Sequence, residues 1–408
     1  MKILIFSQYF WPENFRINEI ANTINSLGHD VEVVTGKPNY PEGTIFSGYS
    51  SWNVKKETWK DILIYRLPIL ARGKKSAFKL ALNYLSYIVS GLLFAPFLLR
   101  KKKYDVIFVY GVSPIFQVIP ASFLGWLKGV PVVLWVQDLW PQSAEATGYI
   151  KSGWLLKILE KFVKISYSHT DLILVQSQAF IDPVSRLAPT IPVLYYPNSV
   201  NKDFYTPKKL DVPHIDSLTS GFTVLFAGNV GEAQSMETII SAAKNLLAYP
   251  EIKIVIIGSG SKIDWVREEI KEKSLNNIFL EGRFPIETMP ILMRQASVLL
   301  VSLTNQPIFS LTVPNKLQAY LAVGRPIIAS LNGEGARIVE EAKAGLSVRA
   351  EDDEALASAI LSMFQMSDNE RLQLGENGRA YFKANFDEDS LINDLMKHFE
   401  CLITKEKY

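Results

Sequence analysis

Two stretches of this chain begin in the same way. KILIFS, an apolar run of strand length, is followed by a helical pattern over about residues 16–27 that Gly28 closes, and then by a second apolar run, DVEVVTG. After residue 220 the plan returns: FTVLFAGNV, a helical pattern over about 236–248, the run KIVIIGSG, a further helix and NIFLEGR. Apolar strands that alternate with helices specify βαβ units and a parallel sheet covered on both faces. The predicted fold is α/β, with two doubly wound Rossmann-like domains facing a central cleft. The first spans 1–205 and is rejoined by a C-terminal helix at 387–408; the second spans 220–386. Polar, Pro-containing sequence over 208–220 reads as the end of the linker. With 408 residues, 48% of them hydrophobic, each domain can hold its own core.

Composition narrows the function. A net charge of +2 gives no nucleic-acid signal. Cys401 is the only cysteine, so neither a disulfide framework nor a thiolate metal cluster can form, and a reducing compartment is expected. His29, His169, His214 and His398 are too scattered for a dedicated zinc site. No cofactor or required metal is predicted, although carboxylate-bound magnesium stays open. The N-terminal strand is too short for the apolar core of a secretory signal, so a cytoplasmic protein is expected.

Doubly wound sheets display their chemistry at the carboxyl ends of the strands. The loop SQYFWPEN, at 7–14, lacks the glycines of a dinucleotide fingerprint, which leaves an NAD or FAD site unsupported. Arg16, at the following helix start, fits either a phosphate clamp or a surface ion pair. Asp138 ends the apolar run PVVLWVQD, and Glu145 follows in LWPQSAEATG; either is a candidate base or hydroxyl anchor, and either could cap a helix. In the second half the strand ends are glycine-bearing: Gly228-Asn229-Val230-Gly231, Gly258-Ser259-Gly260 and Gly282-Arg283. The stretch 307–330, PIFSLTVPNKLQAYLAVGRPIIAS, reads as loop, helix and strand. Its helix start brings free N–H groups, the positive end of the dipole and the Lys316 ammonium to one point, as a phosphate site requires; an ordinary αβ unit is the plainer alternative.

Between Asp61 and Asp105 there is no acidic residue, whereas Arg66, Arg72, Lys74, Lys75, Lys79, Arg100, Lys101, Lys102 and Lys103 are all basic. The segment between the basic clusters, 80–99, is almost wholly apolar. Lys79, Asn83, Ser86 and Ser90 form a polar stripe at helical spacing. A basic amphipathic helix of this kind lies in a membrane interface, with Arg72, Lys74, Lys75 and Arg100 to Lys103 on lipid phosphates. A membrane crossing is disfavoured because the strands before and after belong to one sheet; a buried core helix is the other alternative.

Four motifs in chain order, KILIFSQYFWPE, YYPNSVNKDF, VLFAGNVGEAQSMETIISAA and PNKLQAYLAVGRPII, resemble the GT-B glycosyltransferases of family 4, which use nucleotide-sugar donors. DLWPQSAEATG and GKPNYPEG resemble the bacterial O-antigen and capsule enzymes that transfer N-acetyl-L-fucosamine. The resemblance implies that Gly228, Asn229, Gly231, Gln234 and Lys316 hold the donor diphosphate of a UDP-sugar, with Gly282, Arg283 and Phe284 at the nucleobase. It places Glu13, Asn14, Arg16, Asp138 and Glu145 toward the acceptor, a saccharide on a polyprenyl diphosphate at the inner membrane. The chain departs from the family pattern at Asn229, Ala233 and Gln234, where Arg and Lys are usual, at Leu311 and Ala319, where two glutamates are usual, and at Gln137, often a histidine.

The implied reaction is hexosyl transfer, with Asp138 and Lys316 catalytic and retention of configuration. It belongs to surface polysaccharide (O-antigen, lipopolysaccharide) biosynthesis by a cytoplasmic protein held peripherally on the inner membrane. A nucleotide-sugar epimerase of the same fold and a membrane-docked assembly protein without catalysis are the alternatives.

Overall fold

The computed structural model describes residues 1–73, 76–146, 152–206 and 210–404. The chain divides into two compact units, Met1–Pro197 with Asp389–Tyr408, and Asn198–Glu388. Lys74 and Lys75 lie outside the described residues, as do 147–151 behind Glu145 and 207–209 at the expected linker.

Unit 1 holds an eight-stranded sheet: β1 (Lys2–Phe6), β2 (Asp30–Thr35), β3 (Lys55–Trp59), β4 (Ile62–Arg66), β5 (Val106–Gly111), β6 (Val132–Val136), β7 (Leu172–Val175) and β8 (Val193–Tyr195). Their order is β3-β4-β2-β1-β5-β6-β7-β8, parallel except for the β3–β4 pair at the edge. The helices are α1 (Ile17–Ser26), α2 (Ala77–Leu98), α3 (Val118–Lys128), α4 (Gln142–Ala146), α5 (Gly153–Tyr167) and α6 (Ile181–Leu187). Strands β5, β6 and β7 are buried along their whole length, which explains why VIFVYG, VVLWV and LILV are unbroken apolar runs.

Unit 2 repeats the plan with six parallel strands: β9 (Phe222–Asn229), β10 (Ile252–Ser259), β11 (Ile278–Gly282), β12 (Val298–Ser302), β13 (Ile327–Ser330) and β14 (Gly345–Val348), in the order β11-β10-β9-β12-β13-β14. Its helices are α7 (Asp216–Thr219), α8 (Met236–Asn245), α9 (Ile263–Glu272), α10 (Met289–Gln295), α11 (Pro307–Leu311), α12 (Asn315–Val323), α13 (Glu334–Glu341), α14 (Asp353–Gln365) and α15 (Asp368–Asn385). The chain then returns to unit 1 as α16 (Glu388–Thr404), where the Phe399 ring lies 5.5 Å from that of Phe108.

Three details differ from the sequence reading. The units change at Pro197, ahead of the 205–220 seam, because Val200, Phe204 and Tyr205 already pack on the unit 2 core and Ile215 and Leu218 are part of it. Three of the four residues of the α2 polar stripe turn inward, while Lys79 stays exposed. Asn83 accepts from Gln8 Nε2 at 2.7 Å and donates to the Leu70 carbonyl at 2.6 Å, Ser86 Oγ accepts from Leu70 N, and Ser90 Oγ donates to the Pro68 carbonyl. Lys102, read as a lipid contact, instead sits 2.8 Å from Glu32, whose carboxyl is buried; its Coulombic partner is inside the protein.

Candidate active site

In unit 2 the strand order reverses between β9 and β12, and α12 follows β12 on the way to β13. That reversal opens a crevice at the carboxyl ends of β9 and β12, the place where doubly wound sheets bind ligands. Lys316, in the first turn of α12, stands at these strand ends with its Nζ enclosed. A Cβ on Gly228 would lie 3.3 Å from Lys316 Nζ, and Nζ stands 3.9 Å above the Phe226 ring. Among the described residues the ammonium has no hydrogen-bond partner, and it is buried. Burial pushes its pKa down to about 7. A buried, unpartnered donor of this kind costs free energy unless a ligand satisfies it.

Several features hold Lys316 in place. The Tyr320 hydroxyl, one turn further along α12, accepts from Ala227 N at 3.0 Å and donates to Ala227 O at 3.2 Å, which pins the helix to β9. Gly324, at φ +76°, ends α12 in the left-handed region that glycine tolerates best. Among the described residues no side chain caps the N-terminus of α12; Leu317 N donates to the Pro314 carbonyl at 2.8 Å, and the N–H groups of Asn315 and Lys316 precede it at the positive end of the helix. The 228–235 loop is folded by Gln234, whose Oε1 accepts from Asn229 Nδ2 at 3.2 Å and from Gly231 N at 3.1 Å. Gln234 thus shapes the loop at the position where the resemblance expects a lysine. Gly258 pairs with Gly228 in the β9–β10 ladder, and a Cβ there would lie 1.8 Å from the Gly228 carbonyl oxygen, so only glycine fits. Gly282 ends β11, two strands from Gly228 and thus about 10 Å away by strand spacing. Arg283 is exposed beside it, while Phe284 packs partly on the core.

In unit 1 the order reverses between β1 and β5. Asp138, just beyond β6, leans toward β5: its Oδ2 accepts from Ser113 N at 2.9 Å and from Ser113 Oγ at 2.7 Å, while Trp140 Nε1 donates to that Oγ. The buried Tyr110 hydroxyl feels the charges of Asp138, Arg16 and Glu19, so the two ends of the sequence-predicted acceptor set lie in one neighbourhood. Arg16 stands 4.0 Å from Glu19. Asn14 and Glu145 are exposed. Glu13 is 2% exposed and faces inward, accepting from Asn39 N at 2.8 Å and Tyr40 N at 2.7 Å, with burial pushing its pKa up to about 7. It anchors the GKPNYPEG segment and does not reach solvent. Among the described residues no group of three His, Cys, Asp or Glu side chains is placed to hold a metal ion.

Comparison with known proteins decides the family. Residues 14–199 match the glycosyl transferase 4-like domain, and residues 221–366 match glycosyl transferases group 1. The chain is a GT-B glycosyltransferase. It is 25% identical over 338 residues to the putative colanic acid biosynthesis glycosyl transferase WcaI of Escherichia coli, covering 79% of this chain and 82% of that one. Sucrose-phosphate synthase from Thermosynechococcus elongatus shares the fold, with a TM-score of 0.75 and 16% identity over 99% of this chain and 100% of the other. HepE from Anabaena, solved in complex with UDP, superposes with a TM-score of 0.67 and 13% identity, covering 98% of this chain and 100% of that one.

This glycosyltransferase carries site features that its sequence did not announce. Tyr320 and Phe226 flank Lys316, and Ser113 holds Asp138. An aromatic beside a helix start or a serine after a strand carries no signal of its own. Tyr320 falls one helical turn past Lys316, the only hint available.

Proposed function

We propose that the enzyme transfers a glycosyl group, N-acetyl-L-fucosamine, from a UDP-sugar bound by unit 2 to a lipid-linked saccharide handled by unit 1, in the assembly of a surface polysaccharide at the cytoplasmic face of the inner membrane. The observation that carries the reading is the buried, unpartnered Lys316 ammonium at the β9–β12 crevice, beside Gly228 and an uncapped helix start. UDP in HepE and the colanic acid role in the name of WcaI support the donor and the pathway class. In the reaction the bond between the anomeric carbon and the donor phosphate oxygen breaks, and its electron pair leaves with the diphosphate. Lys316 and the α12 N–H groups stabilise that charge. The acceptor oxygen bonds to the same carbon from the same face, and its proton passes to the departing phosphate. Asp138 accepts a hydrogen bond from a neighbouring hydroxyl of the acceptor sugar and so fixes the direction of the attacking one, whose own proton points to the donor phosphate.

Calorimetry with the full chain and UDP-sugars tests the donor half. A diphosphate favours the charged lysine, whereas the free side chain is half neutral near pH 7. Binding above that pH must therefore take up a proton, and affinity should weaken as pH rises from about 7 to 9. Buffers of different ionisation enthalpy will report the uptake; affinity that ignores pH and buffer would remove Lys316 from the diphosphate site. Product analysis with a polyprenyl-linked acceptor separates transfer from epimerisation, which would change the sugar without any acceptor, and from an assembly role, which would consume no donor.

A further inference from the structure

The outer surface of α2, α3 and α5 is unlike the rest of the molecule. Each of these helices leads to a strand further along the same direction of the sheet, β4 to β5, β5 to β6 and β6 to β7, whereas α1 steps the other way. Right-handed crossovers that step alike lie on one face, so the three helices lie side by side there. Gly91 of α2 lets Pro120 of α3 approach so closely that a Cβ would meet it at 2.6 Å, and Phe162 of α5 reaches Phe116 just ahead of α3. Of the 22 large hydrophobic side chains exposed among the described residues, 13 stand on these three helices. Scatter over the surface would not concentrate them so. Leu93 and Phe97 of α2, Trp126 of α3 and Trp154 and Phe162 of α5 are each more than half exposed.

We propose that these three helices form one membrane seat, through which unit 1 lies on a bilayer that carries anionic lipid. The inference rests on the lipid-linked acceptor proposed above, and extends the docking surface from α2 to α3 and α5. Three observations select a bilayer over a protein partner. Asn83, Ser86 and Ser90 of α2 are spent inward, on Gln8, Leu70 and Pro68, so beyond Lys79 in its first turn the outer face offers a partner mostly apolar groups. Tryptophans stand at the end of α3 and the start of α5, the amphipathic residues that bilayer interfaces favour. Exposed Lys157, Lys161 and Lys164 run along α5 beside its apolar stripe, and Arg100, Lys101 and Lys103 follow α2, which matches an anionic headgroup layer. With 22 residues α2 is long enough to cross a bilayer, but its ends join β4 and β5 of one sheet and its polar stripe is fixed to the protein, so it lies in the interface.

The test is sedimentation of the full-length enzyme with vesicles of phosphatidylglycerol and phosphatidylcholine. Wild type should bind, and release as salt screens the lysines. Trp126→Ser with Trp154→Ser should lower partition by roughly tenfold or more, as should Lys157, Lys161 and Lys164 all changed to Glu. Both sets alter exposed positions, and thermal unfolding will verify that they fold. Lipids brominated near the headgroup should quench tryptophan emission in wild type more than in the double variant. Transfer to a short-chain, water-soluble acceptor should be unchanged in every variant; its absence in wild type would count against the proposed reaction and not against the seat. Wild type that ignores the vesicles, or that forms a dimer broken by the tryptophan changes while vesicle binding persists, overturns the proposal.

Discussion

Lys316→Met is expected to yield a protein that is more stable without ligand and has lost most of its affinity for a nucleoside diphosphate. The lysine is lowered from 10.5 to about 7 by burial alone, with no acceptor nearby to compensate. At 1.36 kcal/mol per unit, that shift is roughly 5 kcal/mol of penalty on the charged form. Methionine keeps an unbranched stem of similar volume without the charge, so the apo protein should gain on the order of 2 kcal/mol at pH 7, less than the full penalty because the crevice wall relaxes. The sign with pH follows. Between about 7 and 10.5 the unfolded chain holds the lysine proton and the folded chain does not, so wild-type stability rises with pH across that window, is lost as pH falls from 10.5 to about 7, and levels off below. The variant should lack this slope. Denaturant unfolding at several pH values measures both effects. Binding should weaken by roughly ten- to hundredfold, since a hydrogen bond to a charged group contributes about 1.5–3 kcal/mol. A variant that melts lower and binds UDP-sugar as before would make Lys316 a structural residue.

Stability given up for a ligand-ready charge is a common trade at functional sites, and it bears on what the sequence could reveal. The place of Lys316 in a helix start after a strand of a βαβ series was legible; its use was not, because the same pattern fits a phosphate site and an ordinary αβ unit alike. The two sheets were legible because short, β-branched apolar runs such as VVLWV recur between helical patterns, as strands covered on both faces do. The direction of the α2 stripe was not. Periodicity shows that Asn83, Ser86 and Ser90 share a face, but which face meets the protein depends on partners such as Gln8, 75 residues from Asn83. Lys102 misled for a like reason, because its partner Glu32 lies 70 residues earlier and a run of like charges in sequence says nothing of it. Glu13 looked available at the mouth of a loop; its burial is set by the backbone of Asn39 and Tyr40, which only the folded sheet brings to it.

Asp138→Asn is expected to lower the rate of transfer by about a hundredfold while UDP-sugar affinity stays within twofold, because orientation of one reacting group contributes on that scale. Asparagine preserves volume and can turn its single oxygen toward Ser113, keeping the 2.9 Å and 2.7 Å bonds that the serine donates. The amide then presents N–H to the neighbouring hydroxyl of the acceptor, which can no longer donate in that direction. The proposed donor site is built by β9 and α12 of unit 2, whereas the hydrogen bonds of Asp138 run to Ser113 within unit 1. In the proposed reaction the Ser113 hydroxyl acts through Asp138, to which it donates, as a positioning residue. Ser113→Ala should lose part of kcat with the donor KM unchanged, and Ser113→Thr, which restores a hydroxyl, should recover most of it. Single-turnover rates with saturating donor will separate these terms. Loss of donor affinity in Asp138→Asn, or full activity with the hydroxyl partner of Asp138 gone, would move the acceptor site away from the β5–β6 strand ends.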